Sequence, residues 1–199
     1  MTRAAGGVAF SPMTRIVAGT LGGRRIEAPA GDRTRPTSDR VREALFSALE
    51  SMVDLDGARV ADLYAGSGAV GLEALSRGAA HVLLVESDPR VARVVRQNIA
   101  ALGVGSAARL STAKVNVALA AGPDGGGYDV VFADPPYAVP EDEVTAVQAA
   151  LVDGGWLAAD AVVVIERSTR SGALTWVKGI TGGHSRRYGE TTLWYGRRS

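Results

Sequence analysis

Short apolar runs alternate with amphipathic stretches over most of the chain, from Arg59 onward. The runs have the length and composition of buried strands, whereas the stretches repeat apolar residues at helical spacing. Strands are predicted at 60–64, 82–86, 109–112, 128–133 and 162–166, and helices at 69–77, 89–102, 115–120 and 141–151. Because strands that alternate with helices of this length are joined by crossover connections, the pattern predicts an α/β fold with a parallel, doubly wound sheet.

Both ends of the chain depart from this alternation and predict β-hairpins. Residues 15–19 and 24–28 are strand-like runs on either side of a glycine-rich turn at 22–23. Residues 174–180 and 190–195 flank a second glycine-rich segment and lack helical spacing. The second pair is therefore expected to form an antiparallel hairpin at the edge of the sheet.

One helix is predicted between the N-terminal hairpin and the sheet. It spans 38–52, with Thr37 or Ser38 as its N-cap. Its buried stripe is predicted to consist of Val41, Leu45 and Leu49. The first residues are small, polar or glycine-rich, so Met13 is a candidate for the true first residue. Three parts are expected: a disordered extension over 1–12, a hairpin with a linker over 13–37, and a sheet domain over 38–199.

The composition of the chain indicates a globular protein and excludes several kinds of chemistry. The chain has 199 residues, 46% of them hydrophobic, which is typical of one soluble globular domain. It has no cysteine, which excludes disulfides, thiolate metal ligands and a cysteine nucleophile. It contains neither a membrane-spanning run of ~20 apolar residues nor the apolar core of a signal peptide, so a cytoplasmic location is expected.

Charge is unevenly distributed, although the net charge is only +1. Residues 1–42 carry eight Arg and three acidic residues, whereas the remainder carries 14 basic and 18 acidic residues. A basic segment on a mildly acidic body is typical of a protein that binds phosphates at one end. Genomic codon bias is the alternative explanation, since only two of the 22 basic residues are Lys.

The first strand of the alternation ends in the sequence DLYAGSGAVG, which runs from Asp62 to Gly71. Gly66, Gly68 and Gly71 match the dinucleotide-binding pattern G-x-G-x-x-G, and Glu86 lies at the end of the next predicted strand. This pattern fits a nicotinamide-dependent enzyme as well as a methyltransferase. It also occurs as a tight turn that binds no ligand.

Asp62 favours the methyltransferase. A dinucleotide site holds an anionic pyrophosphate at this loop, which a carboxylate would oppose. S-adenosylmethionine has no phosphate and carries a sulfonium and an ammonium group, both of which a carboxylate attracts. Glu86 can accept hydrogen bonds from two ribose hydroxyls in either class of cofactor. The expected cofactor contacts are Asp62, Tyr64, Ala65, Gly66, Gly68, Gly71, Glu86 and Ser87.

The segment Asp134-Pro135-Pro136-Tyr137 follows the apolar run YDVVFA, at the edge where parallel sheets bind ligands. An exocyclic amine of a base is a weak nucleophile because its lone pair is delocalised into the ring. The carboxylate of Asp134 and the rigidly held carbonyl of Pro135 can accept its two N–H groups and direct the lone pair at a methyl donor. Tyr137 offers a ring on which an extruded base can stack. A rigid loop without chemistry is the alternative.

Two blocks of sequence resemble a known family. DLYAGSGAVGLEALSRGA, VES and DPPY together resemble class I methyltransferases that act on exocyclic or amide nitrogens. RIVAGTLGGRRIEAP and RPTSDRVREALF resemble the bacterial RsmD-type 16S ribosomal RNA guanine-N2 methyltransferases. The resemblance implies a Rossmann-like domain with a mostly parallel seven-stranded sheet and S-adenosylmethionine as cofactor. No metal is expected, because the sulfonium is already an activated electrophile. The resemblance also implies methylation of a guanine near the decoding region of the small ribosomal subunit, by an enzyme expected to be a monomer that does not bind membranes.

The same resemblance implies a surface that contacts RNA. Its candidate residues are Arg24 and Arg25 in the hairpin, and Arg35, Arg40 and Arg42, which bind phosphates or shape the roof of the pocket. For each of them a solvated charge, or a salt bridge with Asp39 or Glu43, is the alternative. Lys114 departs from the family pattern, because related enzymes have an acid or amide there, facing the adenine.

Three other functions remain open at this point. DNA adenine-N6 methyltransferases share the Asp-Pro-Pro-Tyr chemistry but usually carry a domain that recognises the target sequence, and few residues here precede the sheet. An NAD(P)-dependent oxidoreductase would bind nicotinamide and has no use for this segment. An RNA-binding assembly factor with an inactive cofactor site would bind RNA and transfer nothing.

Overall fold

The structure is a computed structural model in which residues 13–29 and 39–199 are described. The predicted extension at 1–12, the candidate N-caps Thr37 and Ser38, and Arg35 lie outside these residues. The strands are β1 (Met13–Arg15), β2 (Arg25–Glu27), β3 (Arg59–Asp62), β4 (His81–Val85), β5 (Ala108–Ser111), β6 (Tyr128–Ala133), β7 (Leu157–Ser168), β8 (Ile180–Tyr188) and β9 (Thr191–Arg198). The helices are α1 (Asp39–Glu50), α2 (Ala69–Ser76), α3 (Pro89–Leu102), α4 (Val115–Ala120) and α5 (Glu141–Asp153).

In the described part of the chain, seven strands form one sheet in the order β5-β4-β3-β6-β7-β9-β8. Strands β3 to β7 are parallel, and β9 runs antiparallel to both β7 and β8. The chain reverses its direction of travel across the sheet between β3 and β6, which opens a crevice at the carboxyl ends of the strands. The predicted parallel sheet with an antiparallel C-terminal hairpin is confirmed.

Helices cover both faces of the sheet. Helices α1, α2 and α3 pack on one face, where Val60 of β3 is buried, and α4 and α5 pack on the other, where Ala61 is buried. This alternation follows from the two-residue period of a strand. No helix within residues 39–199 is long and apolar enough to cross a membrane.

The N-terminal hairpin, β1 and β2, is fixed to the body of the protein. The fully buried carboxylate of Glu73 on α2 accepts the backbone N–H groups of Val17 at 2.6 Å and Ala18 at 3.0 Å. Gly19 passes so close to the end of α2 that an added Cβ would lie 1.9 Å from a backbone carbonyl oxygen there. The hairpin is therefore held rigidly, and the chain that leaves it reaches the crevice at Pro29.

The predicted first strand of the C-terminal hairpin is wrong. Residues 174–180 are irregular except for the last one, and the strand spans Ile180–Tyr188, through the glycines that were expected to form the loop. Gly182 is required for packing, because an added Cβ would lie 2.4 Å from a ring carbon of Trp176. The register of β8 also shifts between Gly182 and Ser185. The turn is formed instead around Gly189, whose φ is 60°.

Candidate active site

Three carboxylates lie at the carboxyl ends of adjacent strands. Asp62 ends β3, Asp134 directly follows β6, and Glu166 lies near the end of β7. Strands β6 and β7 are in register up to the position before Asp134 and Glu166, so these two residues lie side by side. All three line one cleft of about 1970 Å³. We call Asp62, Asp134 and Glu166 the carboxylate row.

The alternation of side chains along a strand explains why the row faces one side of the sheet. Val60, Phe132 and Val164 each lie two residues before a member of the row, and all three are buried under α1, α2 and α3. Residues two apart on a strand share a face. The same periodicity that builds the core therefore carries the three carboxylates to the cleft.

Asp62 is almost completely buried, with 1% of its surface exposed. Its Oδ2 accepts the backbone N–H of Gly71 at 3.1 Å, whereas its Oδ1 has no hydrogen-bond partner among the described residues. Burial raises the pKa of Asp62 to about 7; the backbone N–H groups of Gly71 and, more weakly, Tyr64 oppose this shift, and the charge of Glu86 adds to it. An unsatisfied buried carboxylate oxygen is unfavourable, and a cation in the cleft would satisfy it and favour the ionised form.

Glycines shape the loop between β3 and α2. Gly66 and Gly68 have φ of 53° and 80°, in the left-handed region that glycine adopts without strain. Gly71 has a different role, since an added Cβ would lie 2.4 Å from Cδ2 of Leu84 on β4. It therefore allows α2 to pack closely on the sheet, which fixes the start of the helix beside the cleft.

Glu86, at the end of β4, holds this loop in place. Its Oε2 accepts the backbone N–H of Gly66 at 3.0 Å, and its Oε1 accepts the N–H of Asp88 at 2.8 Å. Each carboxylate oxygen has a second lone pair, so the residue can also accept hydroxyl donors from the cleft. Asp88 itself is the N-cap of α3, where its carboxylate accepts the N–H of Arg90 at 2.7 Å.

Of the other predicted cofactor residues, Tyr64, Ala65 and Ser87 line the cleft, whereas Gly68 and Gly71 shape the loop without lining it. Lys114 stands at the N-cap position of α4 on the same wall. Asn116, which the sequence analysis missed, lines this wall two residues further on. Its Oδ1 already accepts the backbone N–H of Val117 at 2.9 Å. The side-chain amide keeps its N–H donors and a second oxygen lone pair for an adenine edge, whereas the ammonium of Lys114 can only donate. Asn116 is thus a candidate for the adenine contact left unassigned by the sequence.

The diproline segment after β6 presents a carbonyl and a ring to the cleft. The carbonyl of Pro136 is used within the loop, where it accepts the N–H of Val139 at 2.8 Å. The carbonyl of Pro135, in contrast, accepts no hydrogen bond from residues 13–29 or 39–199. The ring of Tyr137 is 59% exposed, which is unusual for an aromatic side chain and suits a stacking surface.

The carboxyl group of Asp134 is perturbed by burial and by its neighbours in the row. Burial, followed by the charges of Glu166 and Asp62, raises the pKa of Asp134 well above its usual range. Mutual repulsion within the row favours binding of a cation or of several hydrogen-bond donors. Among the described residues, no group of three or more His, Asp or Glu side chains is arranged to hold a metal ion.

Glu166 and the turn at 188–191 are functional candidates that the sequence analysis missed. Glu166 is 5% exposed, and its Oε1 accepts the hydroxyl of Thr191 at 3.1 Å. The turn joins β8 to β9 and forms part of the cleft wall. A signal for Glu166 does exist in the sequence, because it follows the apolar run AVVVI as Asp134 follows YDVVFA.

The expectation that Arg42 binds a phosphate directly is corrected by its position. Arg42 is fully buried, donates to the backbone carbonyl of Arg15 at 2.5 Å and pairs with Asp39 at 2.9 Å. It joins α1 to the hairpin, which is the structural alternative considered for it. The guanidinium does not reach solvent, so we omit Arg42 from the RNA-contacting surface.

The other arginines differ in how freely they can meet RNA. Arg24 is exposed, but its guanidinium donates to the carbonyls of Ala101 and Leu102 at the end of α3, at 2.5 and 3.3 Å. Arg25 on β2 and Arg40 on α1 are exposed as well. Among the predicted arginines that the structure describes, these two best suit a contact with phosphates.

Comparison with known proteins places the chain among methyltransferases. A family model described as conserved hypothetical protein 95 matches residues 14–197. Over 167 residues the chain is 36% identical to ribosomal RNA small subunit methyltransferase D of Escherichia coli strain K12. The alignment covers 83% of this chain and 80% of that protein.

Solved structures agree with this placement. A putative methyltransferase, yhhF from Escherichia coli, superposes with a TM-score of 0.80 at 34% identity, over 94% of this chain and 99% of that one. An RNA methyltransferase from Salinibacter ruber in complex with S-adenosyl-L-homocysteine superposes with a TM-score of 0.60 at 18% identity, over 82% of this chain and 93% of that one. The second likeness concerns the fold alone, and the expected Rossmann-like methyltransferase fold is confirmed.

Proposed function

The chain belongs to the conserved hypothetical protein 95 family, and from this premise we propose that it transfers a methyl group from S-adenosylmethionine to the exocyclic N2 amine of a guanine in 16S ribosomal RNA. The name of the Escherichia coli relative supports ribosomal RNA of the small subunit as the substrate. The observation that carries the proposal is the carboxylate row, which joins the glycine loop and the Asp-Pro-Pro-Tyr segment in one cleft.

The residues at the β3 and β4 ends fit the cofactor. S-adenosylmethionine supplies a methyl group on a cationic sulfur that is already activated for transfer to nitrogen. The unsatisfied, buried Oδ1 of Asp62 would hold the cationic part of the molecule, and the second lone pairs of Glu86 would hold the ribose hydroxyls. A pyrophosphate at the same place would meet the carboxylate of Asp62, which argues against a nicotinamide dinucleotide.

The residues at the β6 end fit an exocyclic amine. Asp134 and the unused carbonyl of Pro135 accept its two N–H groups, and Tyr137 stacks on the extruded base. When the new nitrogen–carbon bond forms and the sulfur–carbon bond breaks, the amine nitrogen becomes cationic and must release a proton. The ionised form of Asp134, which a bound cationic donor favours, would accept it, because a carboxylate with a raised pKa is a stronger base than an ordinary one.

We expect the enzyme to act as a monomer, and we expect it to act in the cytoplasm, where ribosomal subunits are assembled. The exposed Arg25 and Arg40 would contact the RNA phosphates.

The test is methylation of defined substrates by the purified full-length chain. Naked 16S ribosomal RNA and assembled small subunits, both from cells that lack the gene, are incubated with the enzyme and S-adenosylmethionine. The RNA is then digested to nucleosides, which are identified by mass spectrometry. We expect N2-methylguanosine; N6-methyladenosine would instead support the adenine-specific alternative. RNA binding without any methylated nucleoside would identify an inactive assembly factor.

Asp134→Ala tests the assigned chemistry. It should lower kcat about 10²- to 10³-fold, as the loss of one transition-state hydrogen-bond partner does. Its affinity for S-adenosylhomocysteine, measured by calorimetry, should be unchanged. Asp56→Ala is the matched control, because Asp56 is exposed in the loop before β3, at the opposite end of that strand from the cleft. Full turnover by Asp134→Ala would remove this residue from the mechanism.

A further inference from the structure

Glu166 is a buried carboxylate of the cleft to which the proposed methyl transfer assigns no role. It is 5% exposed, it lines the cleft, and it lies side by side with Asp134 across β6 and β7. The hydroxyl of Thr191 donates to its Oε1 at 3.1 Å and fixes the side chain from the turn between β8 and β9. The position of Glu166 is thus defined relative to the residue that meets the acceptor amine.

A third carboxylate at this place adds a further negative charge to the row. Ionised carboxylates on neighbouring strand ends repel one another, and the charge of Glu166 helps to raise the pKa of Asp134. The row is not satisfied internally either, because Oδ1 of Asp62, 1% exposed and on the cleft wall, lacks a partner among the described residues. A ligand that brings a cation and several hydrogen-bond donors would offset this cost.

Guanine and adenine differ in the atom beside the reacting amine. In guanine, the N2 amine is next to N1–H, so the edge presents neighbouring donors; in adenine, the N6 amine is next to N1, which is an acceptor. An ionised carboxylate only accepts hydrogen bonds. A second carboxylate beside the one that binds the amine therefore matches the edge of guanine and repels the N1 lone pair of adenine.

We propose that Glu166 is the specificity-determining residue, which accepts N1–H of the target guanine while Asp134 accepts a hydrogen from N2. The inference rests on the proposed function and deepens it, since it states how the enzyme chooses guanine. Each member of the carboxylate row then binds a different group: Asp62 the methyl donor, Asp134 the reacting amine, and Glu166 the N1–H of the neighbouring ring nitrogen.

The experiment compares guanine with 2-aminopurine, which keeps the N2 amine and lacks the hydrogen on N1. Two forms of 16S ribosomal RNA are prepared by ligation of synthetic segments, identical except for this base at the position that nucleoside mapping identifies. The wild-type enzyme should prefer guanine about 10- to 100-fold in kcat/KM, as expected for one hydrogen bond to a charged group. In Glu166→Gln the ratio should shrink to about threefold or less, because an amide can accept from guanine or donate to 2-aminopurine.

Thr191→Val is the matched control, since it removes the hydroxyl that holds Glu166 and leaves the carboxylate in place. It should lower the rate on both RNAs and retain the preference for guanine. Affinity for S-adenosylhomocysteine and the urea midpoint of each variant report whether the fold is intact; where Glu166→Gln fails to fold, Glu166→Asp replaces it and should keep the direction of the preference with a smaller ratio.

The two proposals fail in different ways. A wild-type ratio near one, or a ratio that survives in Glu166→Gln, would overturn the role of Glu166 and leave methylation of guanine standing. A preference of unchanged size in Glu166→Gln would also show that 2-aminopurine is rejected for its missing O6. No transfer to the guanine RNA by the wild-type enzyme would instead defeat the proposed function itself.

Discussion

The replacement Asp62→Asn separates the effect of the buried charge on stability from its effect on binding of the methyl donor. The side chain keeps its shape, and its oxygen can still accept the N–H of Gly71, but the group no longer ionises. In the free protein, ionised Asp62 is buried, and one of its oxygens has no hydrogen-bond partner among the described residues. The charge therefore destabilises the folded state. In the complex the same charge meets the cationic methyl donor. The variant should therefore be more stable at alkaline pH and bind S-adenosylmethionine more weakly.

The magnitude follows from the pKa of Asp62, which burial raises from 3.8 to about 7. The unfolded chain loses this proton near pH 4 and the folded protein near pH 7, so the stability from the protonated form is lost progressively between these two values and does not change further above them. One pKa unit corresponds to about 1.4 kcal/mol. Relative to wild type, the free energy of unfolding of Asp62→Asn should thus rise by about 2–3 kcal/mol between pH 5 and pH 8. Any constant cost of burying the amide cancels in this difference.

The assay is urea unfolding of both proteins at pH 5, 6, 7 and 8 without cofactor, analysed by linear extrapolation. Asp56→Asn, an exposed site, is the control and should show a difference that does not change with pH. Addition of S-adenosylmethionine at pH 8 should stabilise the wild type more than Asp62→Asn. A flat difference between Asp62→Asn and wild type from pH 5 to pH 8 would refute the raised pKa, and equal stabilisation by the cofactor would refute the cation contact.

Three other perturbations test the remaining parts of the site. Arg25→Glu with Arg40→Glu should weaken RNA binding and flatten the log–log salt dependence by ~2, and an unaltered slope would place both residues away from phosphates. Gly71→Ala should destabilise the protein by about 1–3 kcal/mol in urea unfolding, because the added methyl group overlaps Leu84; a neutral result would mean that α2 can shift. Tyr137→Ala should lower kcat/KM for RNA about 5- to 100-fold through lost stacking, with cofactor affinity kept, and Tyr137→Phe should restore it. Equal losses in both Tyr137 variants would indicate a role for the hydroxyl instead.

Elements whose ends carry a local signal could be predicted from the sequence. Helix α3 is predicted to the residue, because Asp88 and Pro89 mark its start and Gly103 its end, with φ of 72°. Strand β6 is likewise predicted to the residue, since its apolar run stops at Asp134. The first C-terminal strand could not be placed, because glycine signals a turn and a tight packing contact equally well. At Gly182 only the ring of Trp176 decides between them.

Site residues could likewise be predicted where a local sequence signal marks them and not where their role depends on distant parts of the chain. Asp62 and Asp134 stand out because each directly precedes a recognisable loop, and the parallel sheet then brings them together. Glu166 has no such loop, and its meaning depends on the register between β6 and β7, which no local pattern encodes. Arg42 shows the reverse case. Its residue type predicts a surface charge, but the partners that bury it, Thr14 and Asp39, come from two different elements.

The order of the carboxylates along the sheet matches the movement of charge in the proposed reaction. Before transfer the positive charge is on the sulfur of the donor, which Asp62 would attract; after transfer it is on the acceptor nitrogen, which Asp134 would hold. An array of fixed negative charges stabilises the positive charge at both positions without having to reorganise, which is how preorganised sites lower barriers. Loss of the methyl group would leave the sulfur neutral, so Asp62 would attract the product less, and Asp134 would then take the proton from the acceptor nitrogen. The repulsion that makes the empty row unfavourable then favours binding of the next cationic donor.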